Sequence, residues 1–414
     1  MKHCVIIGGG IIGLCTAYYL SEVGHQVTIL DQSDGRTGAS YINSGILTPS
    51  HIVPLAAPGM ISTGLKYMLS SSSPFYIKPR LDFDLIRWVW HFYKSANRNH
   101  VKKSMPIIER LNSLSSGFYQ DLHKRGHLDF HLEQKGLLMA YKTNRAQDQE
   151  TRVVLEAQRL GLKVDSLSPK QVFALQPNIE MAIKGAFQYH CDSHATPQMF
   201  MSAMKNHLLG QGVSIVNHSK VLELHTQGYS VNSIETASET YHPDEIVIAS
   251  GVWTKSLLKK IGFFLPLESG KGYAINVNGT TGIDLPAILM EAKVAVTPMH
   301  GFTRFGGTME ISEINSEIKH HRVSAIERAA RSYYPSINIT SKSLDQAVSG
   351  MRPLSPDGLP YIGRVKSFGN VVVATGHGMM GWSLGPVTGR ICQQIIDRES
   401  PVVDIAPLSL YRHS

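Results

Sequence analysis

The chain has 414 residues, 43% of them hydrophobic and 17% charged, more than one ordinary core accommodates, so two connected domains of a soluble globular protein are expected. The formal net charge of +8 is dispersed: its longest basic pair, Lys102 and Lys103, is flanked only by Arg98 and Arg110, and without a basic helical arm or zinc spacing this argues against nucleic-acid binding. No stretch of 18 apolar residues occurs, which argues against a spanning helix.

The N-terminal run MKHCVIIGGGIIGLC is broken by three glycines and lacks a small-residue cleavage site, so it reads as mature structure from residue 1. His3 to Ile7 predicts a strand, Ile11 to Val23 a helix stopping at Gly24, and Gln26 to Leu30 a second strand ending at Asp31. Strand, glycine turn, helix and strand in about thirty residues make a βαβ unit. Residues 33–62 are a Gly/Ser/Pro/Ala-rich loop, and a loop of that length usually carries function. Helices are predicted over 81–95, with Leu85, Trp88, Val89 and Phe92 on one face, then over 105–125 and 150–160. Ser168-Pro169 and Thr196-Pro197 each open a helix by the cap-then-proline rule. Strands follow near 187–190, after Gly212 and over 245–249, with strand-like alternation through 263–310 and a helix over 323–333. Asn370 to Ala374 is a buried strand running into a second glycine loop, Gly376 to Gly381, and then a helix to about Asp397.

The glycines Gly8, Gly10 and Gly13 stand in the full context of a dinucleotide fingerprint. The first makes the turn, the second admits the pyrophosphate, and the third lets helix and strand pack. The helix N-terminus at Ile11 and Ile12 offers free N–H groups to that anion. Asp31, with Gln32 beside it, can accept from ribose hydroxyls and would repel a 2′-phosphate, against NADP. One dinucleotide needs only one glycine loop for its pyrophosphate. The second loop suits a flavin, whose reduced ring gains negative charge that a helix start stabilises. FAD is therefore the expected cofactor. The expected fold class is α/β plus α+β: a Rossmann-type FAD-binding domain (1–55, 191–262 and 343–414) interleaved with a mixed-sheet substrate domain (56–190 and 263–342).

Seven segments, in order, carry a resemblance: VIIGGGIIGL (5–14), GAS (38–40), PLAAPG (54–59), ASGVWTK (249–255), GKGYAINV (270–277), GMRPLSPDGLPYIG (350–363) and GHGMMGW (376–382). Together they span the whole chain and resemble the FAD-dependent D-amino-acid dehydrogenases of the glycine/sarcosine/D-amino-acid oxidase superfamily. The first is shared by many flavoproteins; the last two with GKGYAINV are far more specific. The resemblance implies that Ser40, Asn43, Ser44, Gly45, Ile46 and Leu47 wrap the flavin. It implies that Val221 presents its backbone to adenine, and that Ala249, Ser250, Gly251 and Trp253 pass the pyrophosphate and ribityl chain. Gly376, His377, Gly378, Met379, Met380, Gly381 and Trp382 then face the pyrimidine edge. Arg352, after Gly350 and Met351, holds the substrate carboxylate. Met351 stands where covalently flavinylated relatives carry cysteine, so the FAD is expected to be non-covalent. Departures are Ser50-His51-Ile52-Val53 before PLAAPG, the absence of tyrosine over 291–296, and Arg304 where sarcosine oxidases place an oxygen-activating lysine.

The implied reaction is oxidative deamination of D-amino acids, including cyclic D-imino acids such as D-proline or D-hydroxyproline. The Cα hydride passes to flavin N5, and electrons go on to a quinone or another carrier. Arg352 orients the carboxylate, since a bidentate fork suits it better than lysine. Tyr273 is a second candidate as a pocket wall able to donate to the carboxylate. His51, on a proline-bracketed loop, is expected over the site. Two other readings stay open: a glycine- or sarcosine-type oxidase using oxygen, and a flavin-binding subunit without catalysis. The 19 histidines show no HExxH or HxH spacing, so no metal is expected. Cys4, Cys15, Cys191 and Cys392 form no CxxC pair and fit free thiols in a reducing compartment. The expected location is cytoplasmic. Trp88, Trp90, Phe92 and Tyr93, beside Arg87, Lys94 and Arg98, raise peripheral contact with the inner membrane, against the plainer reading of a packed helix.

Overall fold

The structure, a computed structural model, describes residues 1–58, 75–78, 80, 82–126 and 128–413. Gly59 of the PLAAPG segment, Leu81 and the serines 70–73 lie outside the described residues.

The first strand, His3–Ile7, sits near the centre of a six-stranded sheet. Its strands, in order, are Ser214–Val216, Gln26–Leu30, His3–Ile7, Glu245–Ile248, Val371–Thr375 and Tyr361–Arg364. The first five are parallel and the last is antiparallel. Both faces are covered, which is why these strands read as unbroken apolar runs. Cys4 and Ile6 face a core built with the helices Ile11–Glu22, Arg98–Lys124, Pro197–Gly210 and Gly385–Asp397. Val5 and Ile7 face the opposite core, closed by the small sheet Val221–Gln227, Ser230–Thr236 and Thr240–Tyr241 and the helix Thr254–Lys260. The Ile11–Glu22 helix is enclosed on nearly all sides, consistent with its apolar character all round.

The second sheet runs Val348–Leu354, Glu268–Asn278, Phe302–Ile311, Val294–Met299, Ala287–Leu289, Leu137–Tyr141, Gly185–Tyr189 and Val164–Leu167, with Phe75–Ile77 paired to Phe302–Ile311. Tyr273, Ile275, Val277, Val296 and Phe305 on one face pack against the helix His320–Tyr333 through Val323, Ile326 and Ala330. A third sheet joins Ile46–Leu47, Ser193–Ala195 and Leu132–Glu133. We keep the five-segment division as a proposal. Elements cross its boundaries: Arg98–Lys124 packs into the core of the parallel sheet, Leu132–Glu133 pairs with Ser193–Ala195, and Val348–Leu354 completes the edge of the large sheet.

The Gly385–Asp397 helix lays bare backbone on the Ile11–Glu22 helix, against a side chain at Gly385 and against main chain at Gly389. A Cβ on Gly385 would lie 2.6 Å from Ile11 Cγ1, and one on Gly389 would lie 2.5 Å from the Cys15 carbonyl carbon. Gly117, inside Arg98–Lys124, meets nothing within 4 Å. Gly389→Ala is therefore expected to destabilise by about 1–3 kcal/mol through overpacking, whereas Gly117→Ala stabilises by roughly 0.5–1 kcal/mol. Urea midpoints of the two variants should move in opposite directions.

Candidate active site

The strand–helix turn builds one end of the site. Gly8 has φ +112°, and a Cβ there would lie 2.6 Å from the Ala249 carbonyl oxygen, so the turn requires glycine. Gly10 caps the first helix with no side-chain hydrogen bond of its own and no acidic residue follows in the first turn, so the helix start presents its positive end to an anion, although the Ile11 N–H expected to be free is taken by Ser40. Ser40 Oγ accepts from Ile11 N at 3.0 Å and so brings the following loop to the helix start. Asp31 Oδ2 accepts from Gly9 N at 2.6 Å, and its Oδ1 accepts from Ser33 N at 2.8 Å and Ser33 Oγ at 2.6 Å. One lone-pair direction on Oδ2 is left for a further donor.

The other end rests on the large sheet, whose inner face is paved with glycine. Gly272 pairs with Gly350, and Ala274 with Gly306. A Cβ on Gly350 would strike Ile42, one on Gly306 would strike Ser44, and one on Gly272 would strike the Arg352 guanidinium, each within 2.4 Å. The 38–44 loop and Arg352 thus lie directly on strand backbone. Arg304, buried behind them, donates from Nε to Asn276 Oδ1 at 2.9 Å and from one terminal nitrogen to the carbonyls of Tyr41 (3.1 Å) and Asn43 (2.6 Å). It clamps the loop to the sheet and does not line the cavity.

Between the two ends lies a cavity of about 850 Å³. Gly8, Gly10, Ile11, Ile12, Asp31 and Gln32 line it, as do Ser40, Asn43, Ser44 and Val221. So do Ala249, Ser250, Gly251 and Trp253, and on the far side Gly350, Arg352, Tyr273, His377, Gly378, Gly381 and Trp382. Eight expected residues do not line it. Gly13 packs helix on strand, with a Cβ position 1.9 Å from the Gly8 oxygen. Gly45, Ile46 and Leu47 turn away into the small third sheet, where Ile46 pairs with His194 and Leu47 with Ser193. Gly376 lies against Tyr361, Met379 points to solvent, and Met380 packs on Asn112. His51 has its Nδ1 3.4 Å from Ser50 Oγ, and burial, then Lys293, lowers its pKa to about 4. It stands outside the cavity rather than over it.

Three lining residues have constrained chemistry. Arg352 donates to the Thr308 carbonyl at 3.3 Å, and among the described residues no carboxylate lies within 4.0 Å of it. Burial lowers its pKa to about 10, which leaves it protonated at neutral pH. Tyr273 is 1% exposed and donates to Glu310 Oε2 at 3.2 Å; burial and that carboxylate raise its pKa. His377 is 2% exposed, with Nε2 3.0 Å from Thr388 Oγ1, and burial lowers its pKa to about 3. The second glycine loop is pinned beside Arg352: Gly378 N donates to the Pro353 carbonyl at 2.8 Å, and His377 forms a bridge with Leu354. The helix after the loop begins only at Gly385, because residues 376–384 make turns first. The sequence reading passed over Gly272, Gly306 and the stretch Ile314–Ser316, all of which line the cavity. Glycines inside a strand, a sign of close backbone approach, were the available signal for the first two.

The sequence model of the family described as FAD dependent oxidoreductase matches residues 3–395. The chain belongs to that family. It is 27% identical to a D-amino acid dehydrogenase of Granulibacter bethesdensis over 99% of both chains, and 28% identical to one of Bradyrhizobium diazoefficiens over 99% of this chain and 98% of the other. Among solved structures it superposes on glycine oxidase from Geobacillus kaustophilus with a TM-score of 0.78 at 21% identity, covering all of both chains. An L-proline dehydrogenase from P. horikoshii gives 0.75 at 15% identity, over 99% of this chain and 97% of that one. Those two likenesses show the fold, α/β plus α+β as expected.

The residues of this FAD-dependent oxidoreductase fit its cofactor. The cavity lies in the upper range for ligand sites. It joins a helix N-terminus without an acidic first turn to a glycine-paved sheet, where a Cβ on Gly272, Gly306 or Gly350 would clash. Behind the wall, Asp192 is 1% exposed; its Oδ1 accepts from Ser50 N at 2.9 Å and its Oδ2 from Ser50 Oγ. It thereby fastens the chain just beyond the 38–47 loop. Burial raises its pKa from 3.8 to about 7. Because the native carboxyl holds its proton where the unfolded one has lost it, this residue withdraws stability as pH rises from about 4 to about 7, by roughly a few kcal/mol. Asp192→Asn should leave stability near pH 4 little changed and raise it above wild type at pH 8, measured by urea melts of the FAD-loaded protein. A difference between the two proteins that is flat with pH would refute this.

Proposed function

We propose that this oxidoreductase oxidises D-amino acids, cyclic D-imino acids among them, at Cα, with electrons leaving to a quinone or another carrier. The observation that carries the reading is Arg352: a guanidinium on the cavity wall, laid on the backbone of Gly272 and held by one carbonyl, with no carboxylate in reach among the described residues. A desolvated, unpaired guanidinium favours a planar anion that it can hold bidentately. Gly8, Gly10, Ile11, Ile12 and the 38–44 loop would hold FAD, which would supply the two-electron acceptor. The chain's own part is placement and exclusion of water. Tyr273 and His377 are already hydrogen-bonded within the protein and His51 lies outside. None is poised as a strong base, which supports a neutral amine as the reacting form. The curated relatives named D-amino acid dehydrogenase support the D configuration and transfer to an acceptor other than oxygen.

Anaerobic mixing with paired D- and L-amino acids tests the reading. Bleaching of the flavin by D-isomers, with dye reduction exceeding peroxide formation in air, is expected. Bleaching by L-isomers alone, or stoichiometric peroxide with no dye preference, would overturn it. Arg352→Ala should raise KM at least about 100-fold, roughly 2.7 kcal/mol, with FAD content retained, and Arg352→Lys should recover only part.

We also propose that the enzyme works in the cytoplasm, resting on an anionic face of the inner membrane. Among the described residues no helix is long and apolar enough to cross a membrane. The helix Phe83–Ser95 buries Leu85 and Trp88 but exposes Phe83, Ile86, Val89, Trp90 and Tyr93. Val89, grouped by its spacing with the inner face, is among the outward residues. Lys94 lies 4.8 Å from the Trp90 ring centre, so the apolar face has a basic edge suited to lipid phosphate. Vesicles containing phosphatidylglycerol should sediment the wild type, more weakly at high salt. The Phe83→Ser, Trp90→Ser pair should bind about tenfold less. Equal binding of both proteins, or none, refutes the contact.

A further inference from the structure

Away from the cavity, two histidines and a glutamate converge on the small third sheet. We propose that His131, Glu133 and His194 bind one first-row divalent cation of zinc-like preference, which ties the end of the cofactor-wrapping loop to the rest of the fold.

Glu133 and His194 are register partners on adjacent strands, and His194 also pairs with Ile46, where the 38–47 loop ends. His131 Nε2 lies 3.6 Å from Glu133 Oε1, and His194 Nε2 lies 3.5 Å from Glu133 Oε2. One donor atom from each of the three residues falls within 4.8 Å of the others. Ligand atoms about 2.0–2.2 Å from a tetrahedral zinc stand roughly 3.3–3.6 Å apart, so side-chain rotations that close the widest gap by at most about 1.5 Å complete the set. His131 has the outer partner of a metal-bound imidazole, whose second nitrogen is held by a protein oxygen. Its Nδ1 is 3.0 Å from Thr196 Oγ1, which itself accepts from His300 N at 2.9 Å. His194 is fully buried, yet neither ring nitrogen makes a well-formed hydrogen bond.

With Thr196 Oγ1 accepting the His131 Nδ1–H, the His131 Nε2 lone pair faces the Glu133 carboxylate, and a cation between them stabilises that tautomer over the one in which Nε2–H donates to Glu133. Lys135 supplies one charge, 2.7 Å from Glu133 Oε2, but it serves the carboxylate and not the imidazoles. The competing reading is a Lys135–Glu133 ion pair with two bystander histidines. The half-exposed side of the cluster leaves room for water as a fourth ligand. Local spacing could not show this group, because the third ligand comes from a strand far along the chain, and it reverses the expectation of no metal.

The full-length, FAD-loaded protein, dialysed against chelator, is titrated with Zn²⁺ and with Co²⁺ as a spectroscopic probe. One equivalent should bind, with an intense visible Co²⁺ spectrum and a raised Tm. His131→Gln and Glu133→Gln should each weaken binding at least roughly 100-fold. These two residues are only half-buried, so the variants are chosen over one at the buried His194. Lys135→Ala should tighten binding, since it removes the competing cation. Absence of binding in the wild type, binding unaltered in both glutamine variants, or no tightening with Lys135→Ala would overturn the site.

Discussion

A methyl group on Gly13 would sit 1.9 Å from the Gly8 carbonyl oxygen, so the first helix reaches the first strand only because that position lacks a side chain. Close approach to bare backbone recurs on the cavity walls. Gly8 meets the Ala249 main chain, and the sheet glycines Gly306 and Gly350 carry the side chains of Ser44 and Ile42 from the loop that closes the opposite side. The position of these walls follows from the register of two sheets. A Cβ added at Gly8 or Gly13 forces main chain to move, which close-packed interiors resist.

On that frame, two arginines of one sheet have opposite fates. Arg304 spends its donors on Asn276 and on the carbonyls of Tyr41 and Asn43, and it serves as a brace. Arg352, two strands away in the same sheet, has one carbonyl partner among the described residues and faces the cavity. Both have their pKa lowered to about 10 by burial. The difference lies in the hydrogen bonds left unmade, and an unmade hydrogen bond on a desolvated charge is what a ligand can satisfy.

Much of the fold was legible because its signals are local. The βαβ unit lies within one short stretch, and Ser168 and Thr196 precede prolines that open helices as read, although only Ser168 caps through its side chain. The helix expected at 105–125 in fact begins at Arg98, where Asn97 caps His100 N, and runs through Pro106; burial of its inner face outweighs the lost hydrogen bond. The site was legible where a residue contributes through a motif. It was not legible where the role depends on which way a strand faces. Tyr273 and Gly272 are neighbours in one motif, yet Tyr273 directs its hydroxyl to Glu310 in the core behind the sheet, and Gly272 lies under the Arg352 guanidinium.

Glycine spacing, the terminal aspartate of the second strand and the apolar runs determined a dinucleotide fold from sequence alone. Each is a short-range requirement that the chain meets within a few residues. Only the tertiary structure decided that Gly45 to Leu47 leave the cofactor wall for another sheet, that His51 does not line the cavity, and that His194 arrives beside His131 and Glu133. Those facts depend on strand pairing between segments distant in the chain, and the pairing is set by burial of both faces of a sheet at once. No single segment encodes it.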